Sequence, residues 1–426
     1  MNVEGWDIGT LGELCGIAIG GTPSRNNPIY WDAEKATDNL WVSIRDLNQM
    51  IITETSEYLT EQGVKNSNVK KIKKGTILLS FKLTIGRVAF AGKDLYTNEA
   101  IAGLETNKIA SDFLYYGLQQ WDLLQGVDQA IKGATLNKQK LNKIQFYYPV
   151  STKEQEQIAA ILSTIDRAIA QTEAIIAKQQ RIKTGLMQDL LTKGIDEHGN
   201  IRSEATHEFK DSAIGRIPVE WEVKPLHKLT SYVVDCPHTT PNFLEGGVLV
   251  ARTFNIKDGN FDLDNASFIS ESEYVQRISR LEPQPRDLIF TREAPVGQAF
   301  IVPEGMRVCL GQRTMLIRCD ETFLNPNYLL ENLYSQDIQM CFDRMVGGTT
   351  NPHLNVADVR CLPIKQPNLQ EQINIVVTLT KIRLSLATTQ RYKDQLQAVK
   401  TGLMQDLLTG KIRVTELLKE REAANP

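Results

Sequence analysis

Between Val64 and Lys93 the chain carries Lys65, Lys70, Lys71, Lys73, Lys74, Lys82, Arg87 and Lys93, and neither Asp nor Glu. A local positive field of this kind suits tracking a phosphate backbone. A solvated lysine-rich turn has the same composition, and Lys70 to Lys74 alone do not separate the two readings. A later stretch, Gly259 to Ile364, has no lysine but holds Arg277, Arg280, Arg286, Arg292, Arg307, Arg313, Arg318, Arg344 and Arg360. Arginine offers paired N–H donors that grip guanine or phosphate. Some of these arginines must instead pair with Glu282, Asp287, Glu293 and Glu304.

Catalytic patterns are weaker. His198, His207, His227, His238 and His353 have neither metal-ligand nor triad spacing, and His238 suits a turn cap. Cys15, Cys236, Cys309, Cys319, Cys341 and Cys361 form no Cys-x-x-Cys pair, so reduced thiols are expected rather than a zinc site or a disulfide framework. Asn27-Pro28-Ile29-Tyr30 brushes against the Asn-Pro-Pro-Tyr loop of amino-group methyltransferases but lacks one proline, and no Walker or dinucleotide glycine spacing accompanies it. No catalytic residue, metal or cofactor is expected on this chain.

These groups must be positioned by more than one core, because 426 residues exceed the usual single-domain length. A composition of 42% hydrophobic and 23% charged residues excludes a disordered or collagen-like chain. The net charge of −3 leaves any polyanion binding to local clusters. No apolar run reaches the roughly 18 residues a membrane span needs, and Glu4 and Asp7 replace the basic residues of a signal peptide, which predicts a cytoplasmic protein.

The chain also repeats itself. Lys183-Thr184-Gly185-Leu186-Met187-Gln188-Asp189-Leu190-Leu191-Thr192 returns letter for letter from Lys400 to Thr409. Upstream, Glu156-Gln157-Ile158 matches Glu371-Gln372-Ile373, and Gly133-Ala134-Thr135 matches Gly348-Thr349-Thr350. Weaker matches join Gly86 to Gly297 and Trp6 to Trp221. A period of about 215 residues means domain duplication rather than a solenoid.

Ile158, Ile161, Leu162, Ile165, Ile169, Ile175, Ile176, Ile182, Leu186 and Leu190 follow helical spacing, as do apolar residues from Ile373 to Leu407. A helix from Glu156 to Leu190 would be roughly 50 Å long. The preferred reading pairs the two stripes as a coiled coil, since neither narrow stripe can be buried alone, and connectivity makes the pair antiparallel; the alternative is two helices each packed on its own domain. The bodies at either end read as mixed α/β, with strands at 76–81, 86–90, 287–291 and 298–302 and helices at 111–125 and 327–340. The polar stretch 192–212 reads as a linker.

Two variable bodies, two helices carrying Glu-Gln-Ile and Gly-Leu-Met-Gln-Asp-Leu-Leu-Thr, and the run Lys210-Asp211-Ser212-Ala213-Ile214-Gly215-Arg216-Ile217-Pro218-Val219-Glu220-Trp221 together resemble the specificity subunit of type I restriction-modification systems. Gly20-Gly21-Thr22-Pro23-Ser24 and Trp41-Val42-Ser43-Ile44-Arg45-Asp46-Leu47 open the first body in the family manner. Pro237-His238-Thr239-Thr240-Pro241 and Leu249-Val250-Ala251-Arg252-Thr253-Phe254-Asn255-Ile256 open the second.

The resemblance implies an α/β fold of two similar mixed α/β target recognition domains, separated by two long helices in an antiparallel coiled coil, with internal pseudo-twofold symmetry. The expected divisions are 1–150 and 215–367 for the domains, 151–192 and 368–412 for the spacer helices, 193–214 for a linker and 413–426 for a tail. Each domain would read one half of a bipartite asymmetric site in double-stranded DNA. The helices would set the gap and dock two modification (methyltransferase) subunits that bind S-adenosylmethionine, and restriction (endonuclease/translocase) subunits would join them.

The expected DNA contacts are Ser43, Arg45, Lys70, Lys71, Lys82 and Arg87 in the first body and Arg252, Thr291, Arg292 and Gln298 in the second. Glu156, Gln157, Gln188, Glu371, Gln372 and Gln405 are the expected partner-binding residues. A coiled-coil scaffold with no DNA role remains the alternative, and an enzyme acting alone is a third reading.

Overall fold

A computed structural model describes residues 3–124, 136–347, 352–417 and 419. The two Gly-x-Thr tripeptides, 133–135 and 348–350, lie outside these residues. The chain divides into two compact units: Met1–Glu173 with Arg391–Pro426, and Ala174–Gln390.

In unit 1 a five-stranded sheet orders Gly16–Ile19, Ile101–Glu105, Ile77–Ser80, Val88–Ala91 and Ile51–Ile52. A four-stranded sheet orders Glu57–Tyr58, Leu40–Val42, Leu95–Thr97 and Lys71–Ile72, with Leu40–Val42 parallel to Leu95–Thr97. Ile77 and Leu79 face a core that includes Phe113, Leu114 and Phe146, whereas Leu78 faces Val42, Ile52 and Leu95. Strand side chains alternate between faces, so a strand covered on both sides needs an unbroken apolar run. That is why the segment was legible.

Unit 2 repeats the plan. Leu288–Thr291 pairs antiparallel with Ala299–Ile301, and Val248–Ala251 runs parallel to Val308–Leu310. The pair Trp6–Thr10 with Gln145–Pro149 recurs as Glu222–Pro225 with Pro363–Gln366.

The first expected domain helix spans Ser111–Gln120, ending at Trp121, whose ring stacks on Phe146 at 4.0 Å. The second is two helices, Pro326–Leu333 and Gln336–Val346. Ser335 divides them because its Oγ accepts the Ile338 N–H at 3.4 Å and caps a fresh helix.

The two long helices are Thr152–Thr192 and Leu369–Leu407. The 41 residues of the first extend about 60 Å. It starts at Thr152, one residue inside the expected 151–192 segment. Within unit 1, Ile158 and Leu162 share a core with Leu403, Met404, Leu407 and Leu408, and Lys400 Nζ lies 2.7 Å from Asp166. Within unit 2, Leu186 and Leu190 share a core with Ile375 and Leu379, and Gln179 Nε2 donates to Ser385 Oγ at 3.1 Å. Early residues of one helix meet late residues of the other in both units. The pairing is antiparallel.

The repeat register needs correction. Gln155 Nε2 donates to Pro149 O at 2.7 Å, and its Oε1 accepts from Ala110 N at 2.6 Å. Gln372 does the equivalent, donating to Pro367 O at 2.9 Å and accepting from Asn325 N at 2.8 Å. Each glutamine ties the last strand of its body to the cap of a domain helix. The partner of Glu371-Gln372 is therefore Glu154-Gln155 rather than Glu156-Gln157. That offset agrees with the exact repeat, Lys183 to Lys400.

Residues 192–212 are also more than a polar linker. Ile195 is buried, Phe209–Ser212 forms a hairpin with Gly215–Pro218, and the buried Arg202 forks onto Glu371. The stretch is polar, but Arg202 within it has a buried partner. In unit 1, Arg413 from the C-terminal segment holds Glu154 in the same way, through Nε at 2.6 Å and Nη2 at 2.7 Å.

Five of the six thiols are buried and Cys361 is exposed. Burial pushes Cys15 up to about 12 and Cys309 to about 11. Because the thiolate is the nucleophile, native protein at pH 8 is expected to react rapidly with a thiol reagent such as DTNB at Cys361 alone. The other five should react only on unfolding. Fast release of two or more equivalents would show that one of the buried sites opens readily.

Candidate nucleic-acid interface

Each unit carries the same loop after its central strand. In unit 1, Ser80 Oγ donates to Thr84 O at 2.5 Å and accepts from Arg87 N at 2.9 Å, while Gly86 N donates to Ser80 O at 2.9 Å. In unit 2, Thr291 Oγ1 donates to Pro295 O at 2.6 Å and accepts from Gln298 N at 2.9 Å, while Gly297 N donates to Thr291 O at 2.9 Å. Gly86 and Gly297 have φ of +91° and +83°, which glycine adopts without steric cost. The tip residues Leu83 and Ala294 are also left-handed, at +63° and +44°, and Leu83 is 89% exposed. The scaffold is shared, while the side chains differ: Lys82, Leu83 and Arg87 in one loop, Glu293, Ala294 and Gln298 in the other.

Arg87 is exposed, its Nη1 bonding Ile44 O at 3.2 Å, and Lys82 lies over the Phe81 ring at 5.4 Å. Lys70 is exposed. Lys71 and Lys73 lie 3.4 and 3.3 Å from Asp94, so part of the lysine cluster is neutralised locally. The backbone N–H of Lys74, and then Lys73, hold the Asp94 carboxyl below its usual range. Arg45 is exposed and bonds Glu57 at 2.8 Å. Ser43 is more committed: its Oγ donates to Asp46 at 2.6 Å.

In unit 2, Gln298 Oε1 accepts from Asp258 N at 2.9 Å and from Tyr334 Oη at 3.2 Å. Thr291 and Arg292 are interior, which corrects their assignment as readers. Thr291 is fully buried as the loop's own brace, and Arg292 bonds Asp235 at 3.1 Å and Leu354 O at 2.8 Å. A side chain committed to its own core is closed to a base edge. Asn27-Pro28-Ile29-Tyr30 forms a short 3-10 turn capped by Asn27 Oδ1, which accepts from Ile29 N at 3.2 Å.

Arg252 lies 4.5 Å from the Phe243 ring and 4.4 Å from the Phe254 ring, beside a cavity of about 190 Å³. Sequence reading found Arg252 but missed the two phenylalanines. The Arg252-x-Phe254 spacing was the only local signal, since Phe243 arrives from a separate segment.

On the long helices, Glu156, Gln188 and Gln405 are exposed and Gln157 is half-buried. Glu371 and Gln372 are buried and spent on contacts inside their own unit, so the docking role expected of them is withdrawn.

Comparison with known proteins places this geometry. The family description "Type I restriction modification DNA specificity domain" matches the chain twice, over residues 3–180 and 218–398. The type I restriction enzyme MjaVIII specificity subunit of Methanocaldococcus jannaschii is 24% identical over 421 residues, covering 97% of this chain and 94% of that protein. The HindI specificity subunit of Haemophilus influenzae is 28% identical over 152 residues, covering 34% of this chain and 32% of that protein.

Among solved structures, a chain from work on complex assembly and conformational transition of the type I R-M system has a TM-score of 0.60 at 16% identity, covering 97% of this chain and 100% of that one. The crystal structure of the S subunit from M. genitalium has a TM-score of 0.54 at 13% identity, covering 96% of each chain. At these identities the structural likeness establishes the fold.

Proposed function

Since the chain belongs to the type I restriction modification DNA specificity family, we propose that it reads a bipartite, asymmetric site in double-stranded DNA, one half with each unit. The observation that carries this reading is the duplicated loop: Ser80 and Thr291 brace the same backbone, which then presents Lys82, Leu83 and Arg87 in one unit and Glu293, Ala294 and Gln298 in the other. An identical pair would favour a palindrome, whereas unlike heads on one frame favour an asymmetric target. Arg45, Lys70, Lys71, Lys82 and Arg87 in unit 1, and Arg252 and Gln298 in unit 2, are assigned to DNA; Ser43 is assigned through its backbone turn. Lysines give phosphate affinity, and base edges give specificity.

The long helices set the number of unread base pairs. Their exposed residues, including Glu156, Gln188 and Gln405, dock two modification subunits, which bind S-adenosylmethionine and carry the methyl-transfer chemistry; restriction subunits join that assembly. Among the described residues no helix is long and apolar enough to cross a membrane.

Inserting one full turn into each long helix tests this assignment. The preferred gap should move by about one to two base pairs, because a turn is about 5.4 Å and a base-pair step about 3.4 Å. Both half-sites should stay unchanged, as read from methylation of targets with varied gaps. An unmoved gap would remove the spacer role, and a complex with no salt-sensitive duplex binding would leave a scaffold.

A further inference from the structure

The arginines of unit 2 divide by what neutralises them. Arg286, Arg292, Arg307, Arg313 and Arg318 each lie within 3.2 Å of a carboxylate. Arg252 has no carboxylate partner among the described residues. It is held instead between the rings of Phe243 and Phe254, with one long bond from Nη1 to Ser267 Oγ at 3.3 Å. The rings attract the guanidinium without taking its N–H donors, so beyond the Ser267 bond those donors are unspent among the described residues.

Beside it, Gln312 donates to His238 O at 3.1 Å, leaving its own side-chain carbonyl without a partner among the described residues. The cavity of about 190 Å³ is lined by these groups together with Thr240 and Arg313. Phe243 and Phe254 are 41% and 51% exposed, so the clamp is open to solvent.

Unit 1 supplies an internal control. Arg25 is likewise set against two rings, Trp31 at 3.8 Å and Trp41 at 4.7 Å, but its guanidinium is forked onto Glu57. There the device is neutralised and acts as a strut. In unit 2 the same device carries an uncompensated, oriented charge.

The geometry points to a guanine-reading site: Arg252, fixed by Phe243 and Phe254, donates to the O6 and N7 acceptors of one guanine in the half-site read by unit 2. Two parallel donors match two adjacent acceptors, and an arginine already immobilised loses less side-chain entropy on binding. A phosphate contact needs charge and gains little from a clamp, so the two rings favour a base. Phe243 and Phe254 are positioning residues.

This inference rests on unit 2 reading DNA, and the experiment separates the two claims. The full chain, assembled with its modification subunits, is offered duplexes randomised across both half-sites, and bound DNA is sequenced. Wild type should select guanine at one position that Arg252→Gln relaxes alone, by roughly tenfold or more. Arg252→Lys should lose much of the same preference while keeping charge. Phe243→Leu with Phe254→Leu should weaken that position several-fold and spare the rest. Equal weakening of all sequences, or an unchanged preference in both Arg252 variants, overturns the assignment. If the wild-type complex selects no sequence, the DNA-reading function itself fails and takes this site with it.

Discussion

Glu371→Ala is expected to destabilise unit 2 by about 3 to 5 kcal/mol, on the order of 10 °C in Tm for a unit of this size. Its carboxylate is 5% exposed and takes the Arg202 guanidinium, the Trp221 indole N–H at 3.2 Å and the Ile195 backbone N–H at 2.9 Å. Removing it leaves a buried cation and two buried donors without an acceptor, and each carries its own desolvation cost. The backbone approaches closely on the Gly194 side, where φ is +65° and a Cβ would lie 2.1 Å from Glu371 Oε1 and 2.4 Å from Trp221.

Chemical or thermal unfolding measures the loss, and Glu156→Ala serves as the comparison. Glu156 is exposed, so its removal should change stability by no more than about 0.5 kcal/mol. A Glu371→Ala protein within 1 kcal/mol of wild type, or a Glu156→Ala protein as damaged as Glu371→Ala, would refute both the network and the corrected register.

The second large effect is expected at Asp337. Lys365 has a side chain only 2% exposed; its Nζ donates to Leu191 O at 3.0 Å and to Asp337 Oδ2. The site therefore joins a domain strand, a domain helix and the last turn of the first long helix, where carbonyls carry partial negative charge. Asp337→Ala leaves a buried ammonium with one carbonyl and should cost about 3 kcal/mol.

Lys365→Met with Asp337→Ala should recover to within about 1 to 2 kcal/mol of wild type, because replacing a buried pair by apolar atoms costs far less than orphaning one member. The cycle of two single variants and the double variant, followed by urea unfolding, measures that rescue. A double variant no better than Asp337→Ala would show that the pair contributes packing rather than charge compensation.

These sites show where sequence reading stopped. The long helices were legible because an apolar stripe at helical spacing is local information, and their antiparallel sense followed from connectivity. The Leu403–Ile158 neighbourhood found in unit 1 agrees with it. The register was harder. Glu154-Gln155-Glu156-Gln157 offers two Glu-Gln pairs in tandem, and the one beside an Ile resembled Glu371-Gln372-Ile373 more closely. The offset of the exact repeat, Lys183 to Lys400, already pointed to Glu154-Gln155, and the burial of Glu154 and Gln155 against the exposure of Glu156 identifies them as the equivalent pair.

The residues expected to contact DNA show the same limit. Thr291 and Arg292 have the polar chemistry expected of readers, but one braces its loop and the other answers Asp235. Residue type reports what a side chain is able to do. Its environment decides what remains for it to do.

The sequence alone determined the duplication, the two long helices, the mixed α/β bodies and the family, because repeats, periodicity and motifs are properties of order along the chain. Tertiary structure decided which charges are spent and which are available. It set Arg202 on Glu371, Arg413 on Glu154 and Arg25 on Glu57, and left Arg252 between two rings without an acid among the described residues. Pairing depends on distance in space, and residues far apart in sequence, such as Glu154 and Arg413, acquire that distance only when the chain folds.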